Sequence, residues 1–112
     1  MRESNLPLAA SKAAVLSITR SFAHALAGRP VRVNAVCPGI IDTPMNDMVL
    51  HGIARARGMT VDEVSATRLH TVPLGRAASA DECAAVICFL LSAQASYMTG
   101  QAINISGGLV TW

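Results

Sequence analysis

"VRVNAVCPGIIDTP", residues 31 to 44, decides the fold. Its first six residues alternate at the start and are rich in valine, which predicts a strand over 31–36. Pro38-Gly39 ends that strand sharply, and Thr43-Pro44 can open a helix, since proline is common at the first helical position. Upstream, Val15, Ile18, Phe22, Ala25 and Leu26 recur at three- and four-residue spacing, which predicts a helix over 9–26 stopped by "GRP" at 28–30. Downstream, Thr60 with Glu63 and Ser79 with Glu82 have the spacing of capping boxes, each marking a helix start. The second box opens "CAAVICFLL", 83–91, which reads as a buried core helix. "SYMTGQ" reads as loop, and "AINIS", 102–106, as a short strand closed by Gly107-Gly108. A strand, a crossover helix and a second strand form a right-handed βαβ unit with parallel strands, so the class is α/β. Only two strands are expected, which leaves a sheet edge open and argues for a marginal, oligomeric or aggregation-prone isolated chain.

Composition narrows the function. The 112 residues are 52% hydrophobic and carry a net charge of +2, enough for one small domain with a core. The nine basic residues are scattered, with only Arg55 and Arg57 close together, so nucleic acid is not an expected partner. Cys37, Cys83 and Cys88 lack Cys-x-x-Cys spacing and read as small buried hydrophobes, which fits a reducing cytoplasm. The longest apolar run is far shorter than the roughly 20 residues that span a bilayer, and "MRESNLP" carries no apolar signal region, so neither membrane insertion nor secretion is expected. His24, His51 and His70 lie far apart without metal-like spacing and read as surface or boundary residues; no metal site is assigned. Asp42 and Asp47 form a loop pair without a partner base.

Four segments taken together carry a resemblance. "AASKAAV", "VRVNAVCPGIIDTPM", "PLGRAASADECAAVICFLLS" and "SYMTGQAINISGG" follow one another in the order and spacing of the C-terminal half of a short-chain dehydrogenase/reductase. The resemblance covers nearly all of residues 8 to 109. It implies the C-terminal part of a Rossmann-type doubly wound parallel sheet, here two parallel strands with flanking helices. Residues 1–112 would then be a partial Rossmann-like domain lacking the N-terminal glycine-rich half. It further implies an oxidoreductase fragment or truncated member that uses NAD or NADP in the intact fold, moving a hydride between the nicotinamide and a small-molecule carbonyl or alcohol.

Residue by residue, Lys12 matches the lysine of the family's Tyr-x-x-x-Lys pair, which lowers the tyrosine's pKa and bonds the nicotinamide ribose. Leu8 stands where the tyrosine belongs, and a hydrocarbon neither gives nor takes a proton. Taken alone, Lys12 is equally a solvated lysine in a first helical turn. Pro38, Gly39, Ile41 and Thr43 match the family's Pro-Gly-x-x-x-Thr loop. There Gly39 permits a close backbone approach, the Ile41 backbone meets the nicotinamide carboxamide, and the Thr43 hydroxyl contacts the carboxamide or a phosphate oxygen. The glycine-rich phosphate turn and the residue that chooses between NAD and NADP have no counterpart, which argues against cofactor binding by this chain alone. Ser4 is not assigned the role of the family's active-site serine. Tyr97 cannot replace the missing tyrosine and reads as a packing residue with its hydroxyl bonded to backbone. The chain is therefore expected to be inactive by itself. The alternative is a non-catalytic relative that assembles with full-length subunits. Partners are expected through the helix 9–26 and the C-terminal strand, as a homo-oligomer or with family subunits.

Overall fold

The computed structural model describes residues 6 to 112. Its order is α1 (Leu6–Ala25), β1 (Ala35–Pro38), β2 (Ile41–Asp42), α2 (Pro44–Arg57), α3 (Val61–His70), β3 (Ala78–Ser79), α4 (Ala80–Leu91), a 3-10 turn (Ala93–Ala95) and β4 (Ala102–Ile105). β1 pairs with β4, and β2 pairs with β3. The first pairing is parallel: Ala35 N–H donates to Gln101 O and Gly39 N–H to Ile105 O, four residues on in both strands. The second is parallel too, with Ile41 opposite Ala78 and Asp42 opposite Ser79. The α/β class with parallel strands and flanking helices thus stands, and a second, separate two-stranded sheet adds to the one that the sequence predicts. Two-residue strands carry no periodicity, so β2 and β3 left no signal to find.

The described residues fall into two compact units, 6–36 with Phe89–Ile103 and Cys37–Cys88 with Asn104–Trp112. In the first, α1 begins three residues earlier than predicted, because Pro7 is tolerated in a first turn. Thr19 and Ala23 are its buried residues, and the Thr19 hydroxyl is satisfied by the Val15 carbonyl at 2.8 Å. The predicted strand over 31–36 shifts to Ala35–Pro38. Ahead of it, one backbone bond from Gly100 N–H to Val33 O at 2.7 Å continues the pairing, and side chains supply the rest. Arg32 donates to the carbonyls of Ser92 and Met98, Val33 N–H donates to Thr99 Oγ1, and the Asn34 amide bridges Met98 O and Gln101 N–H. Pro38 stays inside the strand because only alternate residues face β4. Ala35 and Gly39 bond it, so Pro38's missing N–H falls on the open edge.

In the second unit, α2 and α3 pack through Leu50, Ala54 and Val64, with Ile53, Met59 and Val61 around them. Both predicted capping boxes form: Thr60 and Glu63 exchange bonds of 3.1 Å, and Ser79 and Glu82 exchange bonds of 2.8 and 3.1 Å. Gly58 at φ 63° ends α2 in the left-handed conformation. Gly39 has a different reason to be glycine. Its φ is not positive; instead, a Cβ there would lie 3.0 Å from the Ser106 Cα and 3.2 Å from its Cβ. The strand beside it, rather than a left-handed turn, excludes a side chain.

Burial departs from expectation in α4 and at Tyr97. The helix read as buried core has one buried residue, Leu90; Cys83 is half-buried and Cys88 exposed, as are Ile87, Phe89 and Leu91. A helix apolar all round needs cover on more than one face, and the described residues cover only one. Cys37 is likewise half-buried. Tyr97 is fully exposed and does not pack as expected, since it follows the 3-10 turn on the outside of the first unit. His24, His51 and His70 are all exposed, in keeping with their sequence reading.

Two outcomes follow from this packing. Gly39→Val should lower stability by roughly 1–3 kcal/mol, since the displaced atoms are backbone of β4's extension. Gly52→Ala, at a position in α2 with nothing within 4 Å of the new methyl, should raise it by roughly 0.5–1 kcal/mol. Thermal unfolding of both variants beside the parent checks the pair, and a Gly39→Val chain as stable as the parent would contradict the strand contact.

Candidate functional site

Lys12 and the loop Pro38–Thr43 belong to different units, and each has its own geometry. In the first unit, the earlier start of α1 places Leu8 and Lys12 both within the helix, one turn apart on one side. Both are exposed, Leu8 at 60%, and Lys12 forms no ion pair among the described residues. The Ser11 hydroxyl donates to Leu8 O at 2.8 Å. Ser4 lies outside the described residues.

The loop is built by hydrogen bonds on both of its flanks. Gly39 N–H anchors its start to Ile105 O at 2.9 Å, and Ile40 O accepts from Ala78 N–H at 3.0 Å. That bond, with Ile41 opposite Ala78, turns the Asp42 N–H toward the Ala78 carbonyl, as a parallel ladder requires. Ile41, between them, directs its own N–H and C=O to the side away from β3. Thr43 then caps α2: its backbone is extended at φ −146° and ψ 161°, its Oγ1 accepts from Asn46 N–H at 3.3 Å, and Pro44 takes the first helical position. The cap uses an oxygen lone pair and leaves the hydroxyl proton free to donate. So the loop presents one backbone donor, one backbone acceptor and one hydroxyl donor in three consecutive residues.

Sequence reasoning missed two features that shape this loop. Arg68 of α3 donates from Nη1 to Asn46 Oδ1 at 3.0 Å, tying α3 to the first turn of α2. Arg76 holds Glu82 with a two-pronged pair, Nη2 to Oε1 at 2.7 Å and Nη1 to Oε2 at 2.9 Å. The Arg76 guanidinium, then the Ser79 backbone N–H, hold the Glu82 carboxyl well below the usual carboxylate range, at about 2. The capping box was a visible signal for half of this network; the arginine six residues before the glutamate has no motif of its own. Because the folded carboxyl titrates low, its contribution to stability is complete above the ordinary carboxylate pKa and disappears as the pH falls through about 2. Both side chains are exposed, so that contribution is screened and small. A carbon-detected titration of Glu82 should find its midpoint near 2, and a midpoint in the ordinary carboxylate range would mean that the pair does not form in solution.

This loop and helix recur in known proteins. Residues 1–110 match the family model described as enoyl-(acyl carrier protein) reductase. The 3-oxoacyl-(acyl-carrier-protein) reductase FabG of Thermotoga maritima is 46% identical over 102 residues, 91% of this chain and 37% of that protein. Among solved structures, a short chain dehydrogenase family protein from Francisella tularensis superposes with a TM-score of 0.84 at 38% identity, over 88% of this chain and 41% of that one. Actinorhodin polyketide ketoreductase, solved with NADPH, superposes with a TM-score of 0.89 at 33% identity, over 96% of this chain and 41% of that one. The chain thus spans about two-fifths of the length of the relatives it matches. With a family model across almost its whole length and parallel-strand architecture shared with these structures, the chain belongs to the short-chain dehydrogenase/reductase family.

Proposed function

We propose that residues 1–112 are part of an NAD(P)-dependent short-chain oxidoreductase domain and supply the nicotinamide side of its cofactor site. The observation that supports this best is the free edge of Ile41. A carboxamide needs one acceptor and one donor, and Ile41 offers its C=O and N–H together on the side away from β3. The donor set therefore fits a nicotinamide, with Thr43 adding a hydroxyl proton for the carboxamide or a phosphate oxygen. When bound, the nicotinamide supplies or accepts a hydride at a carbonyl or alcohol carbon. Pro38 and Gly39 set the start of the loop, and Gly39 lets it run flat against Ser106. Lys12 would place its ammonium at the ribose hydroxyls.

Proton transfer is the missing half. Reducing a carbonyl needs a proton delivered to its oxygen, and Leu8 has none to give. Loss of a positioned acid alone removes a factor of about 100 to 10,000, and loss of cofactor positioning can remove roughly 7 to 11 kcal/mol of barrier reduction. The chain by itself is therefore read as inactive, with weak affinity confined to the nicotinamide end. An assembly role has its own support: Leu8, Val15, Ile18 and Phe22 leave an apolar stripe exposed along α1, the helix through which family subunits are expected to associate.

Three measurements test this reading. Nicotinamide mononucleotide at millimolar concentration should shift the amides of Ile41 and Thr43 in a labelled chain; a saturable response located elsewhere, or none at these two, would overturn the half-site. Neither the chain nor Leu8→Tyr should turn over ketones or secondary alcohols with either cofactor, and turnover that vanishes in Lys12→Ala would refute inactivity. Light scattering of the purified chain should find dimers or larger species; a monodisperse monomer unfolding cooperatively at high temperature would remove the assembly role.

A further inference from the structure

We propose that the Arg76–Glu82 pair is a positioning element for the Pro38–Thr43 loop: it holds β3 in register against β2 and so fixes the direction in which Ile41 presents its backbone. The inference rests on reading that loop as the nicotinamide half-site, and it adds to that reading a pair of residues that touch no ligand.

The argument starts from how little else holds β2 in place. β2 and β3 have two residues each, far below the length at which a strand pair sustains itself in water. Their register is nonetheless what aims Ile41, because a slip of one residue would turn its N–H and C=O inward and expose those of Asp42 instead. Something outside the ladder must hold the register, and the segment Arg76–Glu82 does so from both ends of β3. Ahead of the strand, Arg76 Nη1 donates to Ala77 O at 3.1 Å. Behind it, Glu82 Oε2 accepts from Ser79 N–H at 2.8 Å while Ser79 Oγ accepts from Glu82 N–H. The guanidinium joins the two ends by gripping both carboxylate oxygens. β3 is thus enclosed in a ring of bonds before it donates Ala78 N–H to Ile40 O. Arginine suits this task better than lysine: its planar fork meets both carboxylate oxygens and still reaches a carbonyl, which a single ammonium on a flexible stem does not do in one geometry. Exposed ion pairs contribute little to a global fold. A two-residue ladder is a marginal element, and a small contribution there decides how often it is open.

The test uses the whole chain, with Arg76→Lys, Arg76→Met and Glu82→Gln. Hydrogen exchange at the Ala78 and Asp42 amides should quicken roughly twofold to fivefold in Arg76→Met. The amides of Ala54 and Val64, in the α2–α3 core, should keep the parent's rates. Arg76→Lys should fail to restore protection. Glu82→Gln, which keeps an acceptor for Ser79 N–H, gives the same local change if the charged fork is what matters, and it remains informative should Arg76→Met fold poorly. In parallel, nicotinamide mononucleotide should bind the Arg76 variants more weakly, by a factor no larger than the rise in exchange, read at Ile41. Exchange that rises uniformly, or not at all, overturns the positioning role. A parent chain whose exchange behaves as expected but whose Ile41 ignores the nucleotide overturns the half-site reading alone.

Discussion

The parallel ladder between β1 and β4 is the constraint on which the rest of this chain depends. Its bonds join Ala35 to Gln101 and Gly39 to Ile105, residues far apart in sequence, so every helix between them is part of one long crossover. Closing so long a loop costs entropy, and a pair of four-residue strands returns few hydrogen bonds for it. The strands meet closely because Gly39 has no side chain where Ser106 approaches. Past β4, the Gly107 carbonyl accepts from Leu74 N–H, and a Cβ on Gly107 would lie 2.8 Å from Val72 Cγ1. The chain end thus packs down on the stretch that leads into β3, so the ladder and the short second pair share their supports.

That sharing explains how a loop without long-range side-chain bonds of its own holds a definite shape. Pro38 and Gly39 are fixed from β4's side, Ile40 and Asp42 from β3's, and Thr43 by the helix it caps. The supports at Gly39, Ile40 and Asp42 use backbone groups, and what remains unused is the N–H and C=O of Ile41 with the Thr43 hydroxyl proton. A site made this way would depend on register and direction more than on which side chains surround it.

Much of this was legible in the sequence, for physical reasons that also mark where legibility ended. The apolar spacing along α1, the two capping boxes and Pro44 at a helix start are local signals, and local structure obeyed them. Val31 to Asn34 looked like strand because valine favours extended backbone, but Arg32 and Asn34 spend their polar groups on Ser92, Met98 and Gln101, and such long-range side-chain bonds leave no periodic trace. β2 and β3 were too short to have a period. In α4, composition alone suggested burial; Cys88, Phe89 and Leu91 are exposed because burial depends on what packs against a helix as well as on what the helix is made of. Of the proposed site, Lys12, Pro38, Gly39, Ile41 and Thr43 stand out only through the register of the family resemblance, whereas the Arg76–Glu82 grip emerges only once the turn between them is folded.

The pairing of Leu8 with Lys12 separates two functions that the family combines in one helical turn. A lysine beside a tyrosine serves both proton chemistry, by stabilising a phenolate, and binding, by reaching ribose hydroxyls. With leucine at the first position only the second task has a physical basis here, since Leu8 carries no group whose protonation a nearby ammonium could shift. The side chain it offers instead is apolar and exposed, on the same side of the helix as Val15, Ile18 and Phe22. A hydrocarbon in place of a phenol at that position offers no acid, and it stands about two turns ahead of Val15 with Ser11 and Lys12 between them. Under the proposed function, that turn of α1 serves association and cofactor binding, and Leu8 gives Lys12 no proton partner one turn away.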